Sequence, residues 1–315
     1  MNINDELKQN MPYRLLRLGM ACNVSCLFCN VPQELYTDKM RSLKEVCRDI
    51  DALFYREPCL RLDISGGEPT MHEHLVDVVK YASEKGIDVI QLQTNAVLLS
   101  DNSLVLRLKR AGLKSLFVSL HSCIAEHHDV LLGAKGGFKK SIKGIKNALR
   151  AGLEVVLNPV VTRYNYQELP DYMVFVKKKL KGINFISLSV VQPRGRAFGN
   201  RSLVPCYRVV DPFVRKALNI ASQSGLRVSN PYCGLPLCIG GWRYYLDHCV
   251  EYSENVLKRS SHAASQPLNT DKIKAKQCLG CILNDFCNGV WKEYAQLYSL
   301  SDLKPVKRIL KKSFI

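Results

Sequence analysis

No run of this 315-residue chain approaches the roughly 18–20 consecutive apolar residues that a membrane-spanning helix needs. A helical membrane protein is therefore not expected. An apolar leader is also missing. The opening MNINDELKQNMPYRLL is polar and carries acids, unlike a secretory or transit peptide, which points to the cytoplasm. Low-complexity tracts are absent, and 47% apolar with 23% charged residues is the composition of a globular chain. Acids are the scarce charge, at 28 Asp and Glu against 45 Lys and Arg, for a formal net of +17. That excess invites an anionic partner such as nucleic acid or an acidic peptide. Much of it, however, falls in helix-like phrases (FVKKKLKG, FKKSIKGIKNALR) and in the tail KPVKRILKK, where lysine belongs on solvated faces and last turns. Nucleic acid is thus a possible partner but not the favoured one.

Thirteen cysteines without an export signal are expected to stay reduced, which makes a disulfide framework the weaker reading. Cys47 on a helix and Cys59 before a strand read as small buried hydrophobes. The clustered cysteines read as metal ligands.

One phrase recurs through residues 75–229: an amphipathic helix, a glycine, an aliphatic residue, then a β-rich run. The glycines are 86, 112, 152, 182 and 225, each where a helix needs a residue at positive φ. Leu75, Val78, Val79 and Ala82 share one helix face; Phe138, Ile142, Ile145 and Leu149 another; Phe213, Ala217 and Ile220 a third. The expected strands are continuous apolar runs at 60–64, 89–92, 115–120, 155–161 and 185–191, covered on both faces as in a parallel sheet. YRLLRLGM adds a first strand, giving six strand–helix units for an open doubly wound sheet or an incomplete barrel. Either architecture puts chemistry at the C-terminal strand ends, here ACNVSCLFCN, SGGEPT, QTN, HSCIAEHHD, NPVVTR and QPRGRA. The pattern changes after residue 229, so the expected domains are 1–229 and 230–315. The second holds six cysteines, too little apolar material to close a core unaided, and a basic tail.

Cys22, Cys26 and Cys29 form C-x3-C-x2-C, enough for three corners of one metal centre. Structural zinc favours four protein ligands, whereas three thiolates on a four-iron cubane leave one iron open for a non-protein ligand. One strand later, Gly66 and Gly67 permit close backbone approach, and Glu68 offers a carboxylate to an ammonium group. A strand-to-helix turn would also use Gly-Gly and Pro.

The pairing of these two motifs over residues 12–195 resembles the radical S-adenosylmethionine (SAM) enzymes. The resemblance implies an α/β fold, a partial (β/α)6 TIM-type barrel, and a [4Fe–4S] cluster on Cys22, Cys26 and Cys29 whose open iron chelates SAM. Electron injection would then split SAM into methionine and a 5′-deoxyadenosyl radical that abstracts a substrate hydrogen. Position by position it implies Phe28 near the adenine, Gly66, Gly67 and Glu68 at the methionine amine, Ser119 at the ribose and Asp129 at a later polar contact. Asn158 and Gln192 would face SAM or substrate, and Arg194 and Arg196 would clamp a carboxylate or phosphate. His121, His127 and His128 are expected to cap, pack or touch substrate rather than bind metal.

Cys278, Cys281 and Cys287 resemble the core of the SPASM/twitch extensions, with Cys233, Cys238 and Cys249 as upstream ligands. The SPASM pattern continues with another cysteine where this chain has Trp291. One auxiliary iron–sulfur cluster on Cys278, Cys281, Cys287 and an upstream cysteine is therefore preferred, with two three-cysteine clusters or a zinc knuckle as alternatives. The expected partners are a peptide or small-molecule substrate and a reductant such as flavodoxin or ferredoxin. Only eleven residues precede the first strand, which weakens the expectation of a peptide substrate held by a separate N-terminal domain. The reading from another class is a non-enzymatic iron–sulfur or zinc protein that binds nucleic acid. The GGE motif discriminates against it.

Overall fold

The computed structural model describes residues 13–31, 37, 39–56, 61–260 and 271–309. Cys59 and the last six residues of the basic tail lie outside them. Among the described residues no helix is long and apolar enough to cross a membrane. By its contacts the chain forms two compact units: residues 1–25, 34–119 and 134–156, and residues 26–33, 120–133 and 157–315.

The first unit repeats strand and helix: β1 (Tyr13–Arg17), α1 (Leu43–Arg56), β2 (Arg61–Ser65), α2 (Leu75–Glu84), β3 (Val89–Thr94), α3 (Asn102–Ala111) and β4 (Ser115–Val118). The 125–132 helix, α4, belongs to the second unit; α5 (Gly137–Arg150) and β5 (Glu154–Leu157) follow. The strands lie in sequence order, with β1 to β4 paired in parallel. All five repeat glycines adopt positive φ. At Gly112, φ is +113° and its N–H caps the Leu108 carbonyl, which is the glycine-terminated helix end expected from the sequence.

The strands are not apolar on both faces. Leu62, Ile64, Ile90, Leu92, Leu116 and Val118 are buried on one face. The alternate residues form a polar ladder instead. Arg61 donates to Asp63 (2.8 and 3.0 Å) and to Gln91 Oε1 (2.7 Å), and Gln91 Nε2 donates to Ser115 Oγ (2.9 Å). The parallel register sets Asp63 beside Gln91 and Gln91 beside Ser115, so each buried polar group finds a partner on the next strand. One step along, Ser65 Oγ donates to Gln93 Oε1 (2.8 Å).

On α2 the expected face is the buried one: Leu75, Val78, Val79 and Ala82. On α5 it is displaced. Of Phe138, Ile142, Ile145 and Leu149 only Ile145 is buried, alongside Gly137, Ser141, Gly144, Asn147 and Ala148. Ser141 Oγ donates to the Asn95 carbonyl (2.8 Å) and Asn147 Nδ2 to that of Leu99 (2.9 Å), while a Cβ on Gly144 would sit 2.3 Å from the Ala96 carbonyl. The helix meets a loop by polar and small residues, a contact that hydropathy does not register. Cys47 on α1 is half-buried rather than buried.

The second unit holds α4 (Ala125–Leu132), β6 (Val160–Val161), α6 (Leu169–Lys179), β7 (Phe185–Ser187), β8 (Ser189–Val190), α7 (Tyr207–Gln223), β9 (Arg227–Ser229) and α8 (Val250–Ser260). The runs expected at 155–161 and 185–191 are each broken, the first at Asn158-Pro159, where proline cannot donate to a ladder, the second at Leu188. β7 pairs with β9 and β6 with β8, both parallel. On α7 the buried positions are Tyr207, Val210, Val214, Ala217, Leu218 and Ala221, leaving Phe213 and Ile220 half-buried. A short antiparallel pair, β10 (Lys272–Ile273) with β11 (Val290–Trp291), precedes α9 (Lys292–Leu297). The lysines of the two phrases in α5 and α6 are exposed, which accounts for that share of the charge as solvated surface.

Candidate active site

In the first unit the double-glycine turn is locked to the segment entering Cys22. Leu18 N–H donates to the Ser65 carbonyl (3.0 Å), Gly67 N–H to Gly19 (2.9 Å) and Glu68 N–H to Ala21 (2.8 Å). A Cβ on Gly66 would lie 2.2 Å from the Gly19 carbonyl, and one on Gly67 2.1 Å from that of Ala21. Both glycines are thus required by backbone against backbone. Glu68, expected to present its carboxylate to an ammonium group, is 1% exposed and turned inward. Its Oε1 accepts from Thr70 N–H (3.1 Å), Thr70 Oγ1 (2.6 Å) and Thr94 Oγ1 (2.7 Å), and its Oε2 from Asn95 N–H (2.8 Å). Burial raises its pKa against the pull of these donors.

Asn95 Nδ2 in turn donates to Asn23 Oδ1 (2.8 Å), beside Cys22. Thr94 and Asn95, in the strand end QTN, belong to this network although no motif singles them out. Ser119, half-buried, donates its N–H to the Thr94 carbonyl (3.0 Å) and lies on the polar-ladder side of β4.

In the second unit Cys29 N–H donates to the Cys26 carbonyl (3.3 Å), and Leu27 N–H to Leu131 on α4 (3.0 Å). Arg196 is not a free clamp. Its N–H donates to the Cys29 carbonyl (2.9 Å) and its Nη1 to that of Cys26 (3.4 Å). Gly195, at φ +54°, would place a Cβ 2.3 Å from the Cys29 carbonyl. Arg194 pairs with Asp271 (3.1 Å) and stacks over Trp291 at 5.0 Å. Phe28 is buried with its ring edge-on to His121, 4.8 Å between centroids.

The three histidines do what packing demands. His128 Nδ1 accepts from His121 N–H (3.1 Å), His121 Nδ1 accepts from Val160 N–H (3.4 Å), and His127 pairs with Glu168. Burial holds His121 well below the usual imidazole range and lowers His128 to about 4. Asp129 is half-buried on α4. Asn158 Nδ2 donates to the Ser187 carbonyl (2.8 Å) and Ser189 Oγ (2.6 Å); Ser189 also receives the Cys233 thiol (3.2 Å), and Gln192 hydrogen-bonds the same thiol. Asn158, Gln192 and Cys233 are therefore one cluster, with Ser189 at its centre.

Further along the second unit, Cys238, Cys278, Cys281 and Cys287 line a common cavity with Lys274, Leu283 and Val306. Cys233 and Cys249 are not in its lining. Cys249 is buried, and its thiol donates to the Tyr245 carbonyl (3.4 Å). Next to Cys233, Lys272 forms a buried pair with Glu251 and lies 4.8 Å from the ring of Trp291.

The profile of the radical SAM superfamily matches residues 16–176, just over half of the chain. The chain belongs to that superfamily. Its curated relatives include a probable GTP 3′,8-cyclase of Sulfurisphaera tokodaii, 32% identical over 180 residues that cover 56% of this chain and 55% of that one. The Fe-coproporphyrin III synthase of Methanosarcina barkeri is 29% identical over 204 residues, covering 62% and 48%. The chain thus matches about half the length of these radical SAM relatives. Among solved structures, SuiB of Streptococcus suis bound to S-adenosylmethionine superposes with a TM-score of 0.61 at 16% identity, over 96% of this chain and 79% of that one. The anSMEcpe structure with bound AdoMet and Cp18Cys peptide gives 0.61 at 14% identity, over 93% and 92%. These likenesses establish the fold, the partial TIM-type barrel of radical SAM proteins, whose cofactors are a [4Fe–4S] cluster and SAM.

The residues present fit such cofactors. Cys22, Cys26 and Cys29 are half-buried cysteines within eight residues of chain, and the Cys29 N–H donates to the Cys26 carbonyl. In the C-terminal cavity Val306 N–H donates to Cys281 Sγ (3.2 Å), and the N–H groups of Leu237 and Gly289 donate to Cys287 Sγ. Such donors stabilise a cluster's sulfur ligands. Burial pushes Cys238 up to about 12 and Cys287 up as well, so these thiols need a bound cation to ionise at neutral pH. Among the described residues no group of three Cys, His, Asp or Glu side chains is gathered at single-ion distance.

Proposed function

We propose that this protein is a radical SAM enzyme with one auxiliary iron–sulfur cluster, acting on a peptide or small-molecule substrate in the cytoplasm. The observation that carries the reading is the backbone lock between the Gly66-Gly67 turn and residues 19–21, which fixes the approach to Cys22. Cys22, Cys26 and Cys29 hold the first cluster. Bound there, it would supply the one-electron reduction that splits SAM to methionine and a 5′-deoxyadenosyl radical able to take a hydrogen from the substrate.

Gly66, Gly67 and Glu68 receive the methionine end of SAM through the turn's main chain, with the Glu68 carboxylate bracing the turn from inside. Phe28 packs against the adenine, Ser119 contacts the ribose, Asp129 makes a later polar contact, and Asn158 and Gln192 face SAM or substrate. Residues 230–315 carry the auxiliary cluster, on Cys278, Cys281, Cys287 and, of the upstream cysteines, Cys238. Its role is to hold substrate or accept an electron from it, and a flavodoxin or ferredoxin is the reductant. Cys26→Ala tests the core of this reading. After anaerobic reconstitution with dithionite and SAM, the parent is expected to release 5′-deoxyadenosine and the variant none, with the fold retained. Release at the parent rate would sink the assignment.

A further inference from the structure

We propose that the surface over the C-terminal thiols is a docking face for an acidic one-electron carrier protein. The inference rests on the auxiliary-cluster reading above. Leu279 is 84% exposed and Ile282 45%. Single exposed apolar residues are ordinary; these two flank Cys281, and Leu279 directly follows Cys278. Three exposed lysines belong to the same cysteine segment and its cavity. Lys274 and Lys304 line the thiol cavity, and Lys307 Nζ donates to the Gly280 carbonyl between the two cysteines (2.8 Å). Lys274 Nζ donates to the Asn284 carbonyl (2.6 Å), which fixes it at the same rim. Asp285 is the exposed acid of that loop, so positive charge is in excess.

An exposed apolar residue next in the chain to a candidate cluster ligand, with lysines on the cavity that holds the ligand, is the surface a transient redox partner needs. The interface is small, steered by opposite charge and readily released. Carrier and cluster exchange a single electron, one being oxidised as the other is reduced, so no further co-reactant is required.

The test uses the reconstituted holoenzyme and a flavodoxin of net negative charge, with Kd measured by calorimetry at low and raised salt. Lys274→Glu/Lys304→Glu/Lys307→Glu should weaken binding about thirtyfold or more and flatten its salt dependence, compared with the parent at equal iron content. Leu279→Ser should weaken it several-fold, chiefly through faster release. A charge-matched control, Lys80→Glu/Arg107→Glu/Arg110→Glu, alters a basic groove of the first unit and should leave Kd within threefold. A triple lysine variant that binds like the parent, or a control that loses as much, overturns the proposal. Iron analysis separates the two readings: a parent that binds the carrier through these lysines but holds no iron at Cys238, Cys278, Cys281 and Cys287 keeps the docking face and overturns the auxiliary cluster.

Discussion

Gly67→Ala puts the central lock under the most direct strain. Gly67 does not occupy the left-handed region, so the substitution meets no φ penalty. What it meets is backbone: the new Cβ would stand 2.1 Å from the Ala21 carbonyl oxygen, 2.4 Å from that of Met20 and 2.6 Å from Ala21 C. None of these is the tip of a flexible side chain, so the 19–21 segment has to move. That movement costs the hydrogen bonds Gly67 N–H to Gly19 and Glu68 N–H to Ala21, about 0.5–1.5 kcal/mol each. Overpacking adds about 1–3 kcal/mol, for a total of roughly 2–6 kcal/mol. At about 2–4 °C per kcal/mol, anaerobic calorimetry should record a Tm lower by about 5–20 °C. SAM affinity should fall at least tenfold, because Cys22 no longer enters its loop at the same place. Gly199→Ala is the control, since nothing lies within 4 Å of the added Cβ, and it should shift Tm by no more than about 2 °C. A Gly67→Ala protein with parental Tm and SAM binding would show that the lock does not govern the site.

Glu68→Gln leaves the shape and removes an acceptor, so the Asn95 N–H or the Thr70 and Thr94 donors lose their partner; urea unfolding should show about 2–4 kcal/mol lost, and SAM affinity should fall about ten- to a hundredfold with the cluster absorbance intact. His128 has its pKa lowered by burial to about 4, so the unfolded chain binds the extra proton first as pH drops below about 6.5. Stability should then fall by about 3 kcal/mol between pH 6.5 and 4, and His128→Asn, which keeps an acceptor for His121 N–H, should flatten that part of the curve. Cys238→Ala should cost about four irons by Mössbauer counting while Cys249→Ala costs none; zinc released instead of iron would make the extension a knuckle.

Thiol spacing and helix-ending glycines were legible because each needs one residue type for a local reason. Three cysteines in eight positions have few other uses, and a helix end at positive φ wants glycine whatever surrounds it. The polar ladder was not legible. Arg61 and Gln91 are thirty residues apart, and their bond exists only once β2 and β3 are in register. Periodicity misread α5 for the same reason, since Ser141 and Asn147 are buried by hydrogen bonds that their hydropathy denies. Charge alone does not show what a side chain braces: Glu68 accepts from its own turn, and Arg196 donates to the carbonyls of Cys26 and Cys29. Choosing among Cys233, Cys238 and Cys249 required knowing which thiol reaches the cavity, and all three look alike in sequence.

These placements share a physical logic. The candidate metal ligands are positioned by main-chain bonds to glycine turns more than by their own packing. Gly66 and Gly67 lock the approach to Cys22, Gly195 lies against the Cys29 carbonyl, and Gly289, whose Cβ would stand 2.1 Å from the Ile273 carbonyl, lends its N–H to Cys287. Removing the thiol of Cys22 or Cys29 leaves in place the main-chain bonds Gly67 N–H to Gly19 and Arg196 N–H to the Cys29 carbonyl. Adding a methyl group to the neighbouring glycine cannot be absorbed in that way. Conservative glycine changes should therefore harm the fold more than cysteine changes do, and cysteine changes should harm the chemistry first.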